Sequence, residues 1–133
     1  MKPPLHADRP ERRRNRSQDA LTALTRLLDA TRQAEELTAL AIADSSGCLV
    51  AGSGAARLCE ELCAFAPLLV CPPSNDTIPT RLDVIARKTL VRRVSVDGIE
   101  VLICGHGDDP GTALARASEG AARILGARHR ARL

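Results

Sequence analysis

The 133 residues carry a formal net charge of +3, are 44% apolar, and include a single aromatic side chain, Phe65. That is enough apolar material for one packed domain and too much for a disordered chain. The lack of aromatic rings argues against single-stranded nucleic-acid or sugar sites, which need flat stacking surfaces. No run approaches the ~20 apolar residues of a membrane span.

The charge is unevenly placed. Residues 1–16 hold six Lys/Arg and two acids, residues 128–133 hold three Arg, and the middle holds 10 basic and 14 acidic residues. The ends therefore read as basic, disordered tails flanking a domain at 17–127. Runs such as Arg12, Arg13, Arg14 and Arg16 can touch phosphate or anionic lipid.

The first helix is expected at roughly 17–36. Ser17 is a candidate cap, Asp19 lies in the first turn, and Leu21, Leu24, Leu28 and Thr31 follow at helical spacing. The period then shortens. Ala39 to Ala43 and Cys48 to Ala51 flank Asp44-Ser45-Ser46-Gly47, the pattern of a β-hairpin. Ser53 is placed to cap a second helix starting near residue 55. Leu58, Leu62, Phe65, Ala66 and Leu69 form its apolar stripe. Pro67 lacks the N–H that would bond to the Cys63 carbonyl, so the helix is expected to end near Ala66 or kink. A Pro-rich loop follows from Cys71.

The next stretch reads as β-rich. Leu82 to Arg87 is expected to form one strand and Leu90 to Val96 another. Asp97-Gly98 is a strong two-residue hairpin signal leading into Ile99 to Cys104, a strand apolar enough to be buried on both faces. Asp109-Pro110 opens a third helix whose face is Leu114, Ala117, Ala121, Ile124 and Leu125, with Gly126 as its cap. The predicted order is α-β-β-α-β-β-β-α. The expected fold is α+β: one antiparallel five-stranded sheet with the first and third helices on one face and the second on the other.

Cys59 and Cys63 share a helix face, and Cys71, Cys104 or His106 would have to complete a zinc site, yet no CxxC or HxxxH pair supports one. Small core filler is the simpler reading of these thiols. Cys104 and His106 are two apart on a strand, an unfavourable arrangement for a catalytic pair. Gly105, Gly107 and Gly111 match neither usual phosphate-loop spacing, and Asp108 and Asp109 repel phosphate there. No Ser/His/Asp set or carboxylate pair stands out, so no enzyme, cofactor or metal is expected. The odd cysteine count and the polar first residues, without an apolar leader, point to reduced thiols in a cytoplasm. Arg87, Lys88, Arg92 and Arg93 form a basic patch, suited to an acidic partner or to protecting an edge strand.

The element order, the segment Leu40-Ala-Ile-Ala-Asp-Ser-Ser-Gly-Cys-Leu-Val-Ala-Gly-Ser-Gly54, and Ile99-Glu-Val-Leu-Ile-Cys followed by Gly111-Thr-Ala-Leu-Ala-Arg resemble the Roadblock/LC7 family over about 17–127. The Asp-x-x-Gly hairpin also occurs in GAF, PAS and profilin-like folds. The resemblance implies a non-catalytic dimer, assembled through the second helix and the strand edge beside it, that binds no nucleotide. It implies a scaffold or regulator of a small Ras-like GTPase, an arrangement frequent in bacterial members. The interface residues on this reading are Leu58, Leu62, Phe65, Leu69, Arg87 and Arg92, and no DNA or RNA partner is expected. Pro67 and the loop after it depart from a long, straight second helix. The alternative is a GAF- or PAS-like small-molecule sensor, which needs a roomy pocket that a short, Ala-rich chain disfavours.

Overall fold

The computed structural model describes residues 8–70 and 87–132. Within them the order is α1 (Asp8–Ala34), β1 (Ala39–Asp44), β2 (Leu49–Gly54), α2 (Ala56–Val70), β3 (Thr89–Val96), β4 (Ile99–His106) and α3 (Gly111–Arg132). The strands form one antiparallel sheet in the spatial order β2-β1-β4-β3.

This corrects the expectation of five strands and of the order α-β-β-α-β-β-β-α: four strands are present among the described residues. Positions 82–86 of the expected strand Leu82–Arg87 lie outside the described residues. Arg87 itself sits with Lys88 in a turn leading into β3. The count of five rests on Leu82–Arg87, a short run with no period that marks a strand.

The hairpins follow their local chemistry. Asp97 (φ 51°) and Gly98 (φ 84°) both take left-handed backbone, as a two-residue type I′ turn requires. The turn sets Val96 opposite Ile99 and fixes the register of β3 on β4 out to Thr89 and His106. At the other hairpin, Asp44 Oδ1 accepts hydrogen bonds from the Ser46 N–H at 3.0 Å, the Ser46 hydroxyl at 2.6 Å and the Cys48 N–H at 2.9 Å. One carboxylate oxygen thus closes the β1–β2 turn.

Alternation along the two central strands divides the core in two. Leu40, Ile42, Val101 and Ile103 face α1 and α3, joining Leu24, Leu28, Leu114, Ala117 and Ala121. Ala39, Ala41, Ala43, Leu102 and Cys104 face α2, joining Cys59, Leu62, Cys63 and Ala66. Among the described residues, one sheet face therefore carries two helices and the other carries one.

Helices α1 and α3 run antiparallel. Arg116 near the start of α3 pairs with Glu35 just past the end of α1 at 3.0 Å. Gly120 faces Leu27 closely enough that a Cβ there would lie 2.7 Å from its methyl carbons. The expected start at residue 17 and stop at Gly126 both fall short. α1 begins at Asp8 and α3 continues to Arg132; arginine and alanine are good helix formers and extend a helix once it is nucleated.

Gly105 is the tightest point between β4 and α3. A Cβ there would overlap Leu114 Cδ1 and lie 3.2 Å from Pro110 Cβ. Gly105→Ala is expected to lower stability by about 1–3 kcal/mol, the usual cost of overfilling a packed core. A shift of the urea midpoint without a change in slope would register it; an unchanged midpoint would contradict this packing.

Candidate functional site

The α2 side of the sheet holds most of the residues that the sequence nominates for partner binding. Helix α2 is continuous from Ala56 to Val70 with Pro67 inside it, so it does not end at Ala66 as one of the expected outcomes had it. Pro67 offers no N–H to the Cys63 carbonyl. The β1–β2 turn packs at that position: a Cβ on Gly47 would lie 3.1 Å from the Cys63 oxygen and 3.5 Å from Pro67 Cγ. The hairpin tip is thereby seated against the last turns of α2.

Ser53 does not cap α2. It lies in β2, buried, where its hydroxyl donates to Asp29 Oδ1 and accepts from Arg32 Nε at 2.6 Å. Its carbonyl accepts the Cys59 thiol at 3.4 Å. The edge strand is thus tied to α1 by the side chain of one residue and to α2 by its backbone.

The six nominated interface residues do not form one surface. Leu62 is fully buried against the sheet, while Leu58, Phe65 and Leu69 are half-buried along α2. Arg87 is exposed in the turn before β3. Arg92 is exposed on β3 and pairs in register with Ile103, whose side chain belongs to the α1/α3 core. It therefore points away from the α2 side. The α2-side neighbours on β3 are Val91, which packs on the α2 core, and Arg93, which pairs with Glu100 at 3.3 Å.

Sequence reasoning missed Leu68, 40% exposed on α2, and Leu49, 41% exposed on β2. The available signal was the run Leu68-Leu69-Val70. Three consecutive apolar residues at the end of a helix cannot all face one sheet, so one of them must be turned outward.

The three buried thiols sit in the core under α2. Burial raises the Cys59 thiol above its ordinary range. Cys63 and Cys104 share a hydrogen bond that lowers Cys63 and, with burial, pushes Cys104 strongly upward. Cys104 also donates toward the Leu62 carbonyl at 3.8 Å. A protonated, fully buried Cys104 is not arranged as a nucleophile. His106 is engaged elsewhere, with Nδ1 2.7 Å from the Thr89 hydroxyl. Among the described residues no group of three or more His, Cys, Asp or Glu side chains is arranged to hold a metal; Cys71 lies outside them. The Lys88–Asp108 pair at 3.1 Å closes the turn beside His106.

A surface cleft of about 240 Å³ lies between α1 and α3, lined by Leu27, Ala30, Thr31, Arg116, Glu119 and Arg123. It is smaller than usual small-molecule sites and rimmed by charge. No helix among the described residues is long and apolar enough to cross a membrane.

No family model matches this chain, and no curated protein matches it. Among solved structures it is similar to MglB of Myxococcus xanthus, at a TM-score of 0.51 and 12% sequence identity, over 81% of this chain and 91% of that one. MglB has the Roadblock/LC7 fold. At that identity the likeness is one of fold: the chain has a Roadblock-like arrangement of sheet and helices.

His106 makes the sheet end sensitive to pH. Burial, and then the positive charge of Lys88, hold its pKa below 6.5. Protons therefore bind the unfolded chain more readily. Stability from this group is fully present above about pH 6.5 and is lost as pH falls from there through the depressed folded-state value. Urea midpoints measured from pH 8 to pH 5 should fall over the acidic half. His106→Gln should flatten that part of the profile, and a variant that keeps the slope would assign it to another group.

Proposed function

We propose that this chain is a non-catalytic, dimeric protein-interaction module of the Roadblock/LC7 kind, acting in the cytoplasm as a scaffold or regulator of a small Ras-like GTPase. Residues 17–127 are its working unit on this reading. The observation that carries the proposal is that, among the described residues, one face of the sheet carries a single helix. A helix about 10 Å across lies on four strands spanning roughly 19 Å. Its outward side keeps Leu68 exposed, with Phe65 and Leu69 half-buried beside it. Apolar side chains grouped there favour a covering partner, and a second copy of the same surface is the simplest one. The fold likeness to MglB supports this reading, as do the hairpin and β4 segments that resemble the family. The GTPase part follows from the family resemblance.

The test separates assembly from folding. Analytical ultracentrifugation of the full chain at micromolar concentration should give twice the chain mass. Leu68→Glu should weaken self-association at least tenfold, equivalent to about 1.4 kcal/mol, with an unchanged circular dichroism spectrum. Leu62→Glu is a different experiment, since a charge placed in the buried α2 core should unfold the protein. A monomer at tens of micromolar would remove the dimer from the proposal. Failure of the wild-type dimer to retain any small Ras-like GTPase from its own cell extract, in either nucleotide state, would remove the partner.

A further inference from the structure

Where α1 and α3 run side by side, Gly120 has no side chain opposite Leu27, and a Cβ there would lie 2.7 Å from the Leu27 methyl carbons. The helices therefore come close, and the groove between them is bridged toward the end of α1 by the Arg116–Glu35 pair at 3.0 Å. The cleft of about 240 Å³ left there has Leu27, Ala30 and Thr31 on the α1 side and Glu119 and Arg123 on the α3 side.

Thr31 is 4% exposed, and its hydroxyl has no hydrogen-bond partner among the described residues. The hydroxyl of Thr25 on the same helix takes the usual partner, donating to the Leu21 carbonyl at 2.8 Å. Thr31 leaves that bond unmade and lines the cleft instead. A buried hydroxyl without a partner is costly, and a ligand that accepts from it recovers the loss.

Glu119 and Arg123 stand about one turn apart on α3, at the i, i+4 spacing where opposite charges normally pair. Both are exposed and both line the cleft, yet neither makes an ion pair or a hydrogen bond among the described residues. The cleft thus offers a free cation, a free anion and a buried hydroxyl beside the apolar walls of Leu27 and Ala30. A simple anion would be repelled by Glu119, and a simple cation by Arg116 and Arg123. A molecule carrying both charges a few bonds apart meets both. The volume lies below the ~300 Å³ at which drug-sized sites begin, so a nucleotide or a peptide of several residues does not fit.

We propose that this cleft binds a free α-amino acid with a short aliphatic side chain. The ligand carboxylate pairs with the Arg123 guanidinium and accepts a hydrogen bond from the Thr31 hydroxyl. The ligand ammonium pairs with Glu119, and the side chain lies on Leu27 and Ala30. The inference does not depend on the dimer or on the GTPase, because α1 and α3 cover the opposite sheet face from α2.

The experiment titrates the full, isotopically labelled chain with L-valine and follows its amide shifts by NMR. The shifts should saturate with a Kd of about 1 mM or tighter and map to residues 27–31 and 116–123. N-acetylvaline lacks the ammonium and valinamide lacks the carboxylate, so each should bind at least about tenfold more weakly. Arg123→Gln and Glu119→Gln should each weaken valine binding at least about tenfold, and Thr31→Val about threefold or more. Arg57→Gln, exposed at the start of α2, should leave it unchanged, and circular dichroism should show each variant folded. Without ligand, Thr31→Val should melt no lower than the wild type, since it removes a hydroxyl that has no partner. No saturable shift by about 20 mM valine would overturn the proposal, as would either charge variant binding like the wild type. So would N-acetylvaline, valinamide, inorganic phosphate or putrescine binding as tightly as valine in the same buffer.

Discussion

Everything in this fold is referred to the pairing of β1 with β4. Six residues, Ala39 to Asp44, run antiparallel to Val101–His106 down the middle of the sheet. Both strands are buried on both faces over most of their length. A strand buried twice over sends alternate side chains into two different cores, so each position must suit its own layer. The large aliphatics Leu40, Ile42, Val101 and Ile103 serve the side with two helices. Ala39, Ala41, Ala43 and Cys104 serve the side with one. A slip of one residue in either strand would exchange these sets and empty one core while overfilling the other.

The two sides differ in how completely they close. α1 and α3 together span the sheet, and the small residues Ala113, Ala117, Gly120 and Ala121 let α3 approach both the sheet and α1. α2 works alone. The alanines beneath it bring it close to the central strands, and the Ser53 carbonyl and the β1–β2 turn hold its two ends. What a lone helix cannot do is bury all of its own apolar residues. Leu68 is left outward for the same geometric reason that Leu62 is buried inward: they are six positions apart, and that spacing turns the helix by about 240° beyond a whole turn.

The sequence was most legible where local chemistry dictates geometry. Asp97-Gly98 needs left-handed backbone at both positions, and few other pairs tolerate it so readily. Asp44 announces its turn through a carboxylate able to collect three donors. Ile99 to Cys104 reads as a central strand because a run apolar at every position but Glu100 suits a strand covered on both faces. Legibility failed where long-range packing decides. The stripe Leu58, Leu62, Phe65, Leu69 marks one side of α2 correctly, but a stripe does not say whether it meets the sheet or a partner. Leu62 went to the sheet. Arg92 and Arg93 are adjacent in sequence and share their charge, yet strand alternation sends them to opposite sides. Only the register with Ile103 and Leu102 tells which is which. The expected strand at Leu82–Arg87 had no periodicity to test it against.

The helix ends pose a different problem of legibility, because composition and conformation point in opposite directions there. An arginine-rich segment without apolar residues has the composition of a disordered arm. Arginine is nevertheless a good helix former, and α1 has already met its nucleation cost in the buried turns around Leu24 and Leu28. Extending a nucleated helix outward fixes only one further residue per added bond. The same cooperative logic carries α3 past Gly126. Packing in the core between the sheet and these two helices thus sets their direction along their whole length. Because α1 and α3 are antiparallel, it also sets those ends side by side. The meeting of two arginine-rich sequences at one end of the helix layer is therefore a consequence of how the middle folds.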